Sequence, residues 1–315
     1  MLLRRYTGEV VEGNPFVDEL LWYDRDHTRI PFVEMVRVLR ERAFDAAIVV
    51  YPRFRLAWLM FLAGIPIRIG TGYRWYSVLF NRKTFEHRKD AKRHEVEYNL
   101  NLLNELQCGL TENFAPQFDI QIPSAAEASA QAILRQKGIV DSAFAVLHPG
   151  SGGSAREWSP ENFGTLALRL MDEAGMKVLV TGAAGEEEKV SRVVQASEGR
   201  AIPTVGELSI KEFGAVLRSA KLYVSNSTGP LHLAVAMGTP VLGLYPQHVA
   251  MSARRWGPYT KNAAVLVPQR PLDCNVCVET QSPCECMATI SVDHVFQSAM
   301  SVVNKIKQEN VGHAN

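Results

Sequence analysis

The stretch from Lys221 to Tyr245, KLYVSNSTGPLHLAVAMGTPVLGLY, limits what this chain can fold into more than any other. Leu222-Tyr223-Val224 is a short apolar run of β type. Ser225-Asn226-Ser227-Thr228 is a polar turn built from residues that favour helix N-caps. Gly229-Pro230 opens a helix, because proline is tolerated in the first turn, where N–H groups lack intrahelical partners. Leu231, Leu233, Ala234 and Ala236 supply packing positions up to Gly238. Pro240-Val241-Leu242-Gly243-Leu244 returns as a second strand. A strand–turn–helix–strand unit of this kind belongs to a parallel α/β sheet. Its turn places backbone N–H groups, hydroxyls and His232 at a helix N-terminus, where anions bind readily. The plainer reading is a capped helix that merely resists fraying. Further turns of the same kind upstream favour a ligand.

Three such units recur in the second half of the chain, at 143–174, 177–197 and 222–237. Ala143 to His148 is an apolar strand followed by Pro149-Gly150-Ser151-Gly152-Gly153-Ser154, where glycine lets the backbone approach a ligand. Ser159-Pro160-Glu161 combines an N-cap, a proline at N1 and an early acid, so a helix is predicted over 160–174. Lys177 to Val180 is a strand, and Thr181-Gly182-Ala183-Ala184-Gly185 turns into the acidic start Glu186-Glu187-Glu188. The turns of a parallel sheet line one edge, here expected to face a cleft between domains.

The first half alternates strand and helix more sparsely. Strands are predicted at 17–23, 45–51 and 67–70, with helices at 30–42, 56–63 and 94–106. Three strands are fewer than a full Rossmann-like half holds, so an incomplete first sheet is expected, with Ile48 and Val50 poorly covered. Basic residues gather at strand ends (Arg53, Arg55) and in the run from Tyr73 to His94, where Arg74 stands beside Trp75 and Tyr76. Basic residues interleaved with aromatics suit an anionic glycolipid at a membrane surface. Arg53, Arg55, Arg74 and His94 are therefore the candidate acceptor-side residues. The plainer reading of the run is a solvated loop. Pro116 to Pro123 reads as a linker, which divides the chain into 1–123 and 124–315.

With 315 residues, there is room for two such α/β domains. A composition 47% apolar and 21% charged is that of a soluble globular protein. A net charge of +1 argues against a nucleic-acid binder. No apolar run is long enough for a bilayer span and no secretory leader is visible, so a cytoplasmic location is expected. Five cysteines are too few for a disulfide scaffold at this size. Cys274, Cys277, Cys284 and Cys286 could form a structural zinc site, but the last pair is closer than ordinary zinc spacing. Gly70-Thr71-Gly72 lacks the third glycine of a dinucleotide fingerprint, and no P-loop or nucleophile elbow is present.

The segments HPGSGGSAREWSPENF, VTGAAGEEE, SNSTGPLHLAVAMGTPVLGLYP and RRWGPY resemble glycosyltransferase family 9, the ADP-heptose–lipopolysaccharide heptosyltransferases. The resemblance runs from Val11 to about Ile290, and the HPG and NSTGPLH segments are its most specific parts. It implies a GT-B architecture: an N-terminal Rossmann-like domain for the acceptor and a C-terminal one for the nucleotide sugar. It further implies an inverting transfer of heptose from ADP-heptose, without metal or cofactor. Gly150, Ser151 and Arg156 would lie near the donor diphosphate, Arg156 standing where members often carry lysine. One of the acids from Glu186 to Glu188 would take the ribose hydroxyls. Asn226 and Ser227, with Thr228, Gly229 and His232, would meet the diphosphate and sugar. Members commonly have Asp where this chain has Ser227. They also open with a strand and a Gly-Asp turn that supplies the general base, whereas this sequence begins at what resembles their third element. No catalytic base is assigned, and Asp24, Asp26 and Glu95 are no clear substitutes. The expected partners are a nucleotide sugar, an anionic glycolipid and the inner membrane surface. The competing readings are a non-catalytic nucleotide-sugar-binding relative and a GT-B sugar epimerase.

Overall fold

A computed structural model describes residues 1–26, 28–108, 117–139, 142–269 and 285–312. The chain divides into two compact units, Met1–Gln117 and Phe118–Asn315. Residues 118–123, grouped above with the first domain, go with the second unit, where Ile122 packs against its core and Lys211 Nζ donates to the Gln121 carbonyl.

In the first unit, β1 (Leu2–Leu3) pairs in parallel with β2 (Leu21–Trp22), and β3 (Asp24–Arg25) pairs with β4 (Thr28–Arg29). A separate parallel sheet has the order β5 (Ala46–Ile48), β6 (Ile67–Thr71), β7 (Arg82–Thr84). Helix α1 spans Gly8–Val11. Helices α2 (Phe32–Glu41) and α3 (Phe54–Leu62) pack Met35, Leu39, Ala57 and Leu59 into one core. Ile48 is half-buried and Val50 is 45% exposed.

Two expectations are corrected. The strand predicted over 17–23 survives only as Leu21–Trp22, since Asp18 and Glu19 face solvent and Glu19 pairs with Arg42 at 2.7 Å. The basic run is no mere solvated loop. It folds into a 3₁₀ turn, Trp75–Leu79, and then β7, because the outer edge of β6 needs backbone partners.

The second unit holds a six-stranded all-parallel sheet. Its strands are β8 (Phe144–His148), β9 (Lys177–Gly182), β10 (Ile202–Val205), β11 (Leu222–Asn226), β12 (Val241–Leu244) and β13 (Ala263–Leu266). The spatial order is β10-β9-β8-β11-β12-β13. Apolar residues on both faces of β8 explain its unbroken pattern: Ala145 and Leu147 join one core, Phe144 and Val146 the other. One face is covered by α6 (Pro160–Asp172) and α7 (Glu187–Ala196), the other by α5 (Ser124–Gln136), α8 (Ile210–Ser219) and α9 (Gly229–Ala236). β10 and β13 have no counterpart in the sequence reading. Both are four-residue edge strands, and the edge position accommodates Pro203, which has no N–H for a ladder.

The chain runs outward from β8 to β9 and β10, then returns to β11 on the other side of β8. The order in which strands are added across the sheet therefore reverses between β8 and β11, and ligands of such sheets bind beyond the strand C-termini at that reversal.

Candidate functional site

At the reversal, the loops after β8, β9 and β11 lie side by side. Asn226, the last residue of β11, is fully buried. Its Nδ2 donates to the Pro149 carbonyl at 2.7 Å, and its Oδ1 accepts from the Trp158 N–H at 2.8 Å. Both bonds grip the loop that follows β8. Asn226 was expected to touch the donor. The structure instead spends its amide on backbone, so it shapes the glycine loop from beneath.

Glu186 ties the β8 and β9 loops together. Its Oε2 accepts from the Ala183 N–H at 2.9 Å and its Oε1 from the Gly152 N–H at 3.3 Å. Gly150 lies against the same carboxylate, which leaves no room for a side chain there. A carboxylate offers about four acceptor sites, so two backbone bonds leave capacity for hydroxyls. Of the three acids, Glu187 bonds the Gly185 N–H in its own turn at 3.0 Å, and Glu188 is exposed. Only Glu186 faces Gly150.

A second polar group was not anticipated. Ser151 Oγ donates to Glu157 Oε1 at 2.7 Å, and Lys189 Nζ lies 2.6 Å from both Glu157 oxygens. Glu186 is the N-cap of α7 and Lys189 lies in the helix's first turn, and both reach the β8 loop. Arg156, beside Glu157, is half-buried. His148 closes β8, with Nδ1 3.0 Å from Thr181 Oγ1 and Nε2 3.7 Å from Glu186 Oε2. Burial lowers its pKa, and the attraction of Glu186 and Glu157 opposes this. We take the ring as neutral at pH 7, because desolvation outweighs the carboxylates; the contact to Glu186 is then not an ion pair. The sequence clue was the position of His148 at a strand end before a glycine loop.

The third loop leads from β11 into α9. Ser227 and Thr228 are buried at its base, while Gly229 is exposed with open space where a side chain would be. Ser159 caps α6, its Oγ accepting the Asn162 N–H at 3.2 Å. Thr228, the N-cap of α9, makes no such side-chain bond. In that first turn Pro230 has no N–H and the Leu231 N–H donates to the Thr228 carbonyl at 3.2 Å, which leaves the Gly229 N–H as the group an outside acceptor could meet. His232 stands half-buried one turn along.

The first-unit candidates separate. Arg53 and Arg74 are exposed. Arg55 turns inward instead: its Nη2 donates to the Ile30 carbonyl at 2.8 Å and its guanidinium lies over the Tyr23 and Phe32 rings. His94 is an N-cap, its Nδ1 accepting the Val96 N–H of α4 (Glu95–Leu100) at 3.2 Å. Both have structural work that residue type alone could not disclose. Among the acids, Asp24 is buried and accepts the Arg5 N–H at 2.7 Å, and Glu95 pairs with Arg88 at 2.5 Å. Cys274, Cys277 and Cys284 lie outside the described residues; Cys286 is buried in the second unit's core. Among the described residues, no helix is long and apolar enough to cross a membrane.

A family model described as glycosyltransferase family 9 (heptosyltransferase) matches residues 32–288. A putative glycosyltransferase of Haemophilus influenzae is 27% identical over 262 residues, 82% of this chain and 76% of that protein. Lipopolysaccharide heptosyltransferase 3 of Escherichia coli is 22% identical over 274 residues, 83% of this chain and 77% of its own. The solved structure of the E. coli ADP-heptose lipopolysaccharide heptosyltransferase II superposes with a TM-score of 0.77 at 20% identity, covering 97% of this chain and 89% of that one. That likeness establishes the fold as the α/β GT-B type with parallel sheets.

Proposed function

This chain belongs to glycosyltransferase family 9, the heptosyltransferases, and on that premise we propose that it transfers heptose from ADP-heptose to a lipopolysaccharide-core or related anionic glycolipid. The observation that carries the donor half is the convergence of three loops at the strand-order reversal, one ending at Gly229, which has open space beside it at the start of α9. The diphosphate would rest on the N–H groups of the Gly150 loop and on the Gly229 N–H at the start of α9, near Arg156. A guanidinium there can neutralise the departing diphosphate bidentately. Glu186 would accept the ribose hydroxyls on its remaining lone pairs. Thr228, Gly229 and His232 would meet the sugar phosphate side. Asn226 and the Ser151–Glu157–Lys189 group hold these loops in place.

In the proposed step, an acceptor hydroxyl attacks the anomeric carbon from the face opposite the diphosphate. The new C–O bond forms as the bond to the diphosphate breaks, and configuration inverts. A carboxylate takes the hydroxyl proton, and ADP leaves as a trianion, its two diphosphate charges joined by the electron pair of the broken C–O bond. On the acceptor side, Arg53 and Arg74 are the exposed cations suited to glycolipid phosphates. The reaction would proceed in the cytoplasm, at the inner face of the cytoplasmic membrane.

The test is product analysis by mass spectrometry with ADP-heptose, with and without a heptose-deficient lipopolysaccharide acceptor. A heptosylated acceptor and stoichiometric ADP are expected. Donor binding without turnover would replace this reading with a binding protein. Release of a free or epimerised sugar without acceptor would replace it with an epimerase.

A further inference from the structure

Helix α3 breaks the usual division between a core-facing apolar stripe and a polar outer face. Its sequence is FRLAWLMFL. Ala57, Leu59 and Met60 point into the core. The opposite face carries Phe54, Trp58 and Phe61, spaced i, i+4 and i+7, and these are 40%, 38% and 46% exposed. Trp75, from the 3₁₀ turn, stacks on Phe54 with ring centroids 4.8 Å apart and is 78% exposed. Val78, one 3₁₀ turn further, is equally exposed. A helix that is apolar all round is normally enclosed, and a contiguous exposed apolar patch marks a contact surface.

Charge decides what the surface contacts. From residue 46 to residue 85 the chain has no Asp or Glu, yet it has Arg53, Arg55, Arg68, Arg74, Arg82 and Lys83. The whole chain carries only +1, so this is a local field. Two of these cations border the aromatic face directly. Arg68 lies 5.4 Å from the Phe61 ring centroid, and Arg74 is exposed next to Trp75. The face is the outer side of a helix, its rings exposed to between 38% and 78%. Trp rings with Arg at their rim suit the boundary between headgroups and acyl chains, and missing acids remove repulsion from anionic lipid.

We propose that this face docks on an anionic phospholipid bilayer, with Phe54, Trp58, Phe61 and Trp75 entering the interface. The proposal rests on the first unit's surface alone and stands or falls independently of sugar transfer.

The experiment is co-sedimentation of the full chain with phosphatidylethanolamine–phosphatidylglycerol vesicles and, separately, with phosphatidylcholine vesicles. ADP affinity and thermal unfolding are followed on the same samples, so a failed donor reading is distinguishable from failed docking. Binding is expected to the anionic vesicles and to weaken with salt. The double variant Trp58→Ala/Trp75→Ala should bind them about tenfold or more weakly, since each ring loses its apolar transfer. Val78→Glu, at a position too exposed to disturb folding, should weaken binding by about fivefold. Equal binding to both vesicle types, no binding to either, or unchanged binding by both variants would overturn the proposal. So would tryptophan-dependent self-association in sedimentation velocity without vesicle binding, which would assign the face to a second copy of the chain.

Discussion

Glu186 occupies the space where any side chain at position 150 would have to be: a β-carbon added to Gly150 would lie 1.9 Å from Glu186 Oε1. The two residues belong to the loops after adjacent strands β8 and β9, and the contact fixes how closely those loops approach. Gly150→Ala must therefore push the carboxylate away from the Ala183 and Gly152 N–H groups. We expect a loss of about 1–3 kcal/mol, the usual range for overpacking. Urea unfolding of Gly150→Ala, Glu186→Ala and the double variant checks this. The double variant should cost clearly less than the sum of the singles, and simple additivity would contradict the contact.

Asn226 predicts a stability effect where a ligand-contacting residue would show only an affinity effect. Asn226→Ala leaves the Pro149 carbonyl and the Trp158 N–H without their buried partner. Each unmade bond costs about 1–3 kcal/mol. Unfolding without ligand should report the loss, together with weaker ADP binding from a loosened glycine loop. An unchanged unfolding midpoint with impaired ADP binding would return Asn226 to the ligand.

Arg156→Ala should weaken ADP binding by about 1.5–3 kcal/mol, the range for a hydrogen bond to a charged group. Calorimetric titration measures it. The deficit should shrink for AMP, which lacks the second phosphate. An equal deficit for both nucleotides would move Arg156 away from the diphosphate.

His148 predicts the direction of a pH effect. Burial lowers its pKa below the ordinary 6.5, so the unfolded chain takes up the proton first as pH falls. Protons bound preferentially by the unfolded state make stability rise with pH. The contribution is complete above the unfolded pKa and is lost progressively as pH falls from there toward the folded value. His148→Gln should flatten that part of the stability–pH curve, whatever it does to stability at pH 8. Urea midpoints collected from about pH 8 down to about pH 5 test it. Parallel wild-type and variant curves would show that His148 is not held neutral.

The local alternation of elements was legible in the sequence. The apolar run before Asn226, the Ser159-Pro160 start of α6 and the Gly229-Pro230 start of α9 each involve residues within a turn or two of one another. Strand C-termini rich in glycine and hydroxyls pointed to Gly150, Ser151 and Thr228 for the same reason. β10 and β13 were not legible, because a four-residue edge strand draws its stability from the neighbour it pairs with and not from a pattern of its own.

What a polar side chain does was decided only by tertiary structure. Arg55 and His94 have the chemistry of ligand-binding residues, but the Ile30 carbonyl and the Val96 N–H claim them first. The choice of Glu186 over Glu187 and Glu188 depends on which acid faces Gly150, a residue 36 positions earlier. Asn226 meets Trp158 across 68 positions, a pairing created by the adjacency of β8 and β11. Sequence spacing reports contacts along one helix or strand; a hydrogen bond between loops exists only once the sheet order has brought them together, and that order is set by the whole packed unit.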